Sequence, residues 1–299
     1  MNQVRNPHPS AAGWRQAAVS LPFLLVAALL GLTLLGSSGW AQETKAPAPP
    51  AAKTEAATPQ PEKMLQQACD LLKSAKQFSF KAEVTDDRVY TAGKKLQFAL
   101  DMEVFVQRPD KLRVNAVGDL QTKEFFYNGK VITLYDKPHN VFGVIEAPAN
   151  IDAALDHAHK EYGLRVGLAD MTGEHACALM THGIKHALYV GEGLVRGVKC
   201  HHLAFDLNHI QWQIWIDAGD KPVIRKLIIT QKQLRGAPQW TAYFADWNFA
   251  PQFADTLFTF TAPAGASQIK FISLKQAEAM PKKATPGRKK MKKQKGEAS

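Results

Sequence analysis

Lys95-Leu-Gln-Phe-Ala-Leu-Asp-Met-Glu-Val-Phe-Val-Gln107 decides how this chain folds. Leu96, Phe98, Leu100, Met102, Val104 and Val106 take every even position, whereas Lys95, Gln97, Asp101, Glu103 and Gln107 fall on odd ones. A strand turns successive side chains to opposite faces, so a period of two predicts one strand with an apolar face and a mostly wet one. At about 3.3 Å per residue it is about 40 Å long, roughly twice the usual strand. Long alternating antiparallel strands belong to large curved sheets, barrels and half-barrels, whose inner face lines a core or a cavity.

The flanking sequence supplies partners for that strand. Before it, Phe78, Phe80, Ala82 and Val84 alternate with Lys81 and Glu83, predicting a strand that Asp86 and Asp87 end. From Pro61 to Lys76 the spacing of Met64, Leu65, Ala68, Leu71, Leu72 and Ala75 is helical, with proline in the first turn. After it, Arg108 to Lys111 forms a turn into a strand carrying Leu112 and Val114. Asn128-Gly129, between Phe125–Tyr127 and Val131–Tyr135, is the signature of a tight hairpin. A short strand at Val141–Ile145 and a helix over Ile151–Tyr162 follow, whereas Gly163 to His186 has no clean period and reads as loop with short helical turns. The sheet resumes over Ala187–Val190, Val198–Leu207, Ile210–Ile216, Val223–Gln231 and Trp240–Phe249. This order predicts a mainly β (α+β) fold, a curved antiparallel half-open β-barrel with helices plugging the concave face.

The ends read differently. Residues 1–41 resemble a secretory signal peptide: Arg5 and Arg15 precede an apolar run from Leu21 to Leu35, and Gly39 and Ala41 suit cleavage before Gln42. An uncleaved inner-membrane anchor is the alternative, since the run counted from Ala17 approaches a bilayer's thickness. Residues 42–62 form a Pro/Ala-rich linker, 63–274 the folded domain, and 275–299 a basic tail expected to be disordered. That tail holds nine Lys or Arg against Glu278 and Glu297, so it carries +7 of the chain's formal +10 and leaves the body without a nucleic-acid surface. Outside the inner membrane the tail is expected to touch anionic lipid or an acidic envelope polymer, or to act only as a solubilising segment. Three cysteines fit export, and Cys177 with Cys200 is the expected pair if one forms, with Cys69 a buried thiol on the inner side of the first helix.

Chemistry-bearing motifs are sparse. No Gly-x-Ser-x-Gly elbow and no glycine-rich phosphate loop occurs, and the carboxylate pairs Asp86/Asp87 and Asp101/Glu103 fall on a turn or a wet face, so no enzyme and no cofactor are expected. Eight of ten histidines lie between His157 and His209. Among them His182, His186, His201 and His202 are candidate metal ligands, the first two by their i, i+4 spacing, although Gly183 weakens that helix and ordinary solvated histidines explain them as well. Tryptophans 212, 215, 240 and 247 fit packing within strands.

Three segments in order, Arg108-Pro-Asp-Lys-Leu-Arg113, Asn128-Gly-Lys-Val-Ile-Thr-Leu-Tyr-Asp136 and Phe258-Thr-Phe-Thr-Ala-Pro-Ala-Gly265, resemble the LolA/LppX-like superfamily of periplasmic carriers. Gly197-Val-Lys-Cys-His-His-Leu-Ala-Phe205 and Trp212-Gln-Ile-Trp-Ile216 extend the resemblance, which over Met64 to Phe271 points to that superfamily's predicted periplasmic protein family. The resemblance implies a half-barrel whose cavity receives a lipid or an acyl chain. On that expectation Leu96, Phe98, Leu100, Met102, Val104, Val106, Leu112 and Val114 line the cavity. The alternatives are an interaction or sensor module with a filled core, and a metal-binding protein that uses the histidine-rich insert.

Overall fold

A computed structural model describes residues 59–175 and 177–279. Helix α1 (Pro61–Ser74) leads into β1 (Gln77–Val89), β2 (Lys95–Gln107), β3 (Lys111–Gly118), β4 (Thr122–Tyr127), β5 (Val131–Asp136) and β6 (Val141–Glu146). Helix α2 (Ile151–Tyr162) is followed by an irregular insert that contains the short helix α3 (Ala178–Thr181). Strands β7 (His186–Val195), β8 (Val198–Asp206), β9 (Ile210–Asp217), β10 (Ile224–Gln231) and β11 (Gln239–Asn248) complete the main sheet, and the small strand β12 (Ser267–Ile269) and helix α4 (Leu274–Ala279) end the described chain.

All the strands join one sheet in the order β12-β6-β5-β4-β3-β2-β1-β11-β10-β9-β8-β7. Within β1–β6 and within β7–β11 sequence neighbours pair antiparallel, which follows from their short turns, and β1 closes against β11 to join the two halves. The sheet is open, with β12 and β7 as its edges, and the mainly β half-barrel class read from the sequence holds. One edge is blunted by β12, which runs parallel to β6. The β7 edge is interrupted by a bulge between Tyr189 and Gly191, a device that disfavours pairing with other chains.

One face carries the helices. Leu65, Ala68, Cys69 and Leu72 of α1 and Ile151, Ala154 and Ala158 of α2 share a core with Phe78, Phe80, Ala82 and Val84 of β1, Val104 and Val106 of β2, and Ile214 and Ile216 of β9. Asn150 caps α2, accepting a bond from the Ala153 N–H at 2.8 Å, and Gly163 closes it in a left-handed conformation.

Several sequence expectations need correction. Asp86 and Asp87 do not end β1, because Asp87 accepts bonds from Lys95, Gln97 and the Gln239 N–H, and Asp86 pairs with Arg88. Strand β7 runs on to Val195, its glycines accommodating the bulge that broke the alternation. Strand β12 and helix α4 carried no periodic signal. The disulfide joins Cys69 to Cys177, not Cys177 to Cys200; Cys200 is a buried free thiol. The fold lays the insert against α1, which brings Cys177 to Cys69. The expected signal peptide, most of the expected linker and the tail beyond Ala279 lie outside the described residues.

On the opposite face, His202 stacks on Trp215 with ring centroids 4.0 Å apart and sits 3.0 Å from the Gln213 side-chain oxygen. Burial and the charge of Lys226 hold its pKa below the usual 6.5, against the Gln213 bond. The folded protein therefore takes up this proton less readily than the unfolded chain. Above pH 6.5 the residue is neutral in both states and contributes nothing, and stability falls as the pH drops through 6.5 toward the lower folded value. Urea midpoints measured between about pH 8 and pH 5 should fall more steeply for the parent than for His202→Gln. Equal slopes would show that His202 contributes nothing.

Candidate functional site

The insert between Gly163 and Lys185 does not form a regular layer, and its apolar residues lie over the helix-bearing face of β9, β10 and β11. Between them is a cleft of about 310 Å³. Leu168, Met171 and Met180 of the insert form one wall, and Trp212, Leu227, Ile229 and Trp240 form much of the other. Sheet register brings the second wall together, since Trp212 pairs with Ile229, Ile229 with Trp240, and Leu227 with Ala242. Trp212 is fixed by stacking on Phe205 at 4.3 Å. Methionine suits this wall, as its unbranched thioether fills irregular space and repacks readily.

The insert is tied down at three points. Cys69 bonds to Cys177, both buried. The Arg108 guanidinium donates to the Thr172 carbonyl at 3.0 Å while also donating to the Leu72 and Ala75 carbonyls at the end of α1. The Asp152 carboxylate accepts from the Glu174 N–H at 2.9 Å and lies 3.1 Å from His175 Nδ1. The far side of the insert borders a larger depression of about 610 Å³, but Asp152, Asp156, His159, Arg165 and His175 line it. Leu155, Leu164 and Val166 share that lining, but Asp152, Asp156 and Arg165 make it a less suitable place for an apolar ligand than the uncharged cleft.

The residues of the long strand divide along its length. Met102, Val104 and Val106, with Leu112 and Val114 beside them, are buried in the core, whereas Leu100 and Phe98 are half-buried and Leu96 is 49% exposed. Met102 meets the insert at Gly167, where an added Cβ would lie 3.1 Å from the Met102 methyl and would make that flexible side chain shift by a few tenths of an ångström. The strip thus meets the insert at Met102 and runs outward into solvent at Leu96.

The histidines do not converge. His182 and His186 flank a turn rather than sharing a helix, because α3 ends at Thr181 and Gly183 takes a positive φ. His201 and His202 are consecutive on β8 and face opposite ways, His201 to Tyr189 at 3.2 Å and His202 to Trp215. Among the described residues no group of three His, Cys, Asp or Glu is placed to hold an ion. None of the eight residues expected to line a cavity is among the residues that line this cleft, and none of that lining, Trp212, Trp240, Met171 and Met180 included, was assigned to a site from the sequence. Two methionines in an aperiodic stretch were the available signal.

The model of a family of predicted periplasmic proteins (DUF2092) matches residues 61–272. The chain belongs to that family. It is therefore a protein of the periplasm, as the sequence led one to expect. Among solved structures it is similar to an uncharacterised conserved protein of Thermus thermophilus, at 10% identity and a TM-score of 0.40, covering 70% of this chain and 98% of that one. It is also similar to the lipoprotein LppX of Mycobacterium tuberculosis, at 12% identity and a TM-score of 0.36, over 64% and 96% of the two chains. A LolA superfamily protein from Nitrosomonas europaea aligns at 9% identity and a TM-score of 0.34, over 68% and 99%. No curated protein matches the sequence.

Proposed function

We propose that this periplasmic protein is a carrier-type binding protein that holds an apolar ligand, a lipid or the acyl part of one, in the cleft beneath the insert. The observation that supports the reading is the cleft's lining, in which Leu168, Met171, Met180, Leu227 and Ile229 meet two tryptophans with no charged side chain among them. Its volume of about 310 Å³ falls at the low end of ligand pockets, which suits one acyl chain better than a bulky ring system. Each methylene that leaves water contributes about 0.8 kcal/mol, so a chain needs no polar anchor to bind. Met102, Leu100, Phe98 and Leu96 of the long strand extend the path outward, and movement of the insert gates entry.

Native mass spectrometry of the protein purified from its own periplasm, with organic extraction of what co-purifies, tests the proposal. A stoichiometric lipid is the expected result. Ile229→Lys should weaken uptake of a fluorescent fatty acid by at least about tenfold, because an ammonium would have to be buried against the chain. A protein that arrives empty and takes up no fatty acid would overturn the reading. The interaction or sensor module would then stand, a reading favoured by the filled core around Val104, Val106, Leu112 and Val114.

A further inference from the structure

Pairing of β1 with β2 continues to Val89↔Lys95, but β1 leaves β11 after Asp86↔Trp240 and β2 meets β3 only from Leu100↔Gly118. Residues 87–99 therefore form a two-stranded finger that overhangs the sheet. Its tip is tightly closed: the Tyr90 N–H donates to the Lys94 carbonyl at 2.8 Å, the Gly93 N–H donates to the Tyr90 carbonyl at 3.1 Å, and Ala92 and Gly93 take positive φ. Its base is fixed by Asp87, which pairs with Lys95 at 3.0 Å and accepts from the Gln239 N–H of the neighbouring strand. The overhang is thus held as a rigid projection.

Its surface is unusual for a hairpin tip in water. Tyr90 is 40% exposed and Leu96 49%, and the adjacent β10–β11 loop adds Leu234 at 53%. The Arg235 guanidinium of that loop lies against Gly93, so the two tips form one surface. Arg88 covers the Phe98 ring at 5.4 Å. Lys94 and Arg235 form no ion pair among the described residues, and the acids Asp86 and Asp87 are already matched by Arg88 and Lys95. A few projecting apolar side chains ringed by cations are too small a patch for a stable protein interface, which takes about 800 Å² per partner. The pattern does match a bilayer interface, where a tyrosine ring sits at headgroup level, aliphatic chains enter the acyl boundary and cations meet phosphate.

We infer that the β1–β2 finger, with the Leu234–Arg235 loop beside it, docks the protein on an anionic lipid surface by shallow insertion of Tyr90 and Leu96. The finger carries the outer end of the strip that leads to Met102, so docking would bring that strip to the bilayer. This purpose rests on the proposed cleft function, whereas the docking itself does not.

The test uses the exported full chain with an environment-sensitive nitrobenzoxadiazole dye on Thr91→Cys, and in parallel on Asp220→Cys in the β9–β10 turn at the opposite end of the strands. Vesicles of phosphatidylglycerol and phosphatidylcholine should shift the dye at position 91 to the blue and brighten it, and leave the dye at 220 unchanged. Tyr90→Ser combined with Lys94→Glu should weaken vesicle binding by about tenfold. The basic tail can hold the protein near lipid but does not bury a dye at position 91, and the readout needs no fatty acid, so it is independent of the cleft. A dye at 91 that stays as wet as the one at 220 would overturn the inference, as would a blue shift in lipid-free solution caused by self-association.

Discussion

Replacing Cys69 and Cys177 together by alanine is expected to lower the unfolding free energy by about 3–5 kcal/mol. The bond closes a loop of 108 residues in sequence separation, and cross-links over such lengths restrict the unfolded chain most in the chain-entropy account. Its place in the folded state adds to the effect. Cys69 lies on the buried side of α1, and Cys177 opens α3 in a left-handed conformation beside the methionines of the cleft. Without the bond, the insert loses its covalent anchor and keeps the polar contacts from Arg108 and Asp152, so affinity for a fluorescent fatty acid should fall together with stability. Urea unfolding of the parent with and without dithiothreitol, set beside the double alanine variant, measures the increment. Cys200→Ser should keep the full reducible increment, because Cys200 has no part in the bond. Loss of the increment in Cys200→Ser, or a peptide map linking Cys177 to Cys200, would overturn this account.

That cysteine assignment marks where sequence stops being informative. The alternation from Lys95 to Gln107 and the Asn128-Gly129 hairpin signal are local consequences of strand pleat and turn sterics, and both elements appear, although the hairpin loop is Gly129-Lys130, one residue later than read, with Gly129 at positive φ. Helix α2 runs over the expected Ile151–Tyr162, and the structure caps it with Asn150 and Gly163. The insert was not legible in this way, because its conformation is set by contacts from far along the chain. Arg108 reaches it from the end of β2, Cys69 from α1 and Asp152 from α2. The same non-local origin hid the cleft. Trp212 and Trp240 belong to strands that are not sequence neighbours, and only the register through β10 sets them on one wall. Along the long strand, alternation identified which side faces inward. It could not tell Val104, which is packed, from Leu96, which is half exposed, since that depends on how far β3 and β11 extend alongside.

Arg108→Met should be nearly as costly as removing the disulfide, at about 3–5 kcal/mol, although it deletes a cation that makes no ion pair among the described residues. The guanidinium donates to the Leu72 carbonyl at 2.5 Å and the Ala75 carbonyl at 2.7 Å, groups that the end of α1 leaves without helical partners, and to Thr172 in the insert. It also lies over the Phe78 ring at 5.2 Å. Burial pulls its pKa below the usual value, with Asp152 and Glu174 acting the other way, so the charge is held at some cost and kept by these acceptors. One of its nitrogens, Nη2, is buried with no partner among the described residues, so the fork is not fully satisfied even in the native state. Methionine would match the stem and the contact with Phe78 but would leave three carbonyls facing apolar surroundings. Lysine would keep the charge, yet a compact ammonium cannot span acceptors on both α1 and the insert, so Arg108→Lys should recover less than half of the loss. Urea unfolding ranks the variants, and hydrogen exchange at the last turn of α1 locates the damage. If Arg108→Lys proved as stable as the parent, charge rather than the planar fork would be what joins α1 to the insert, and the two anchors of the cleft wall would have to be explained separately.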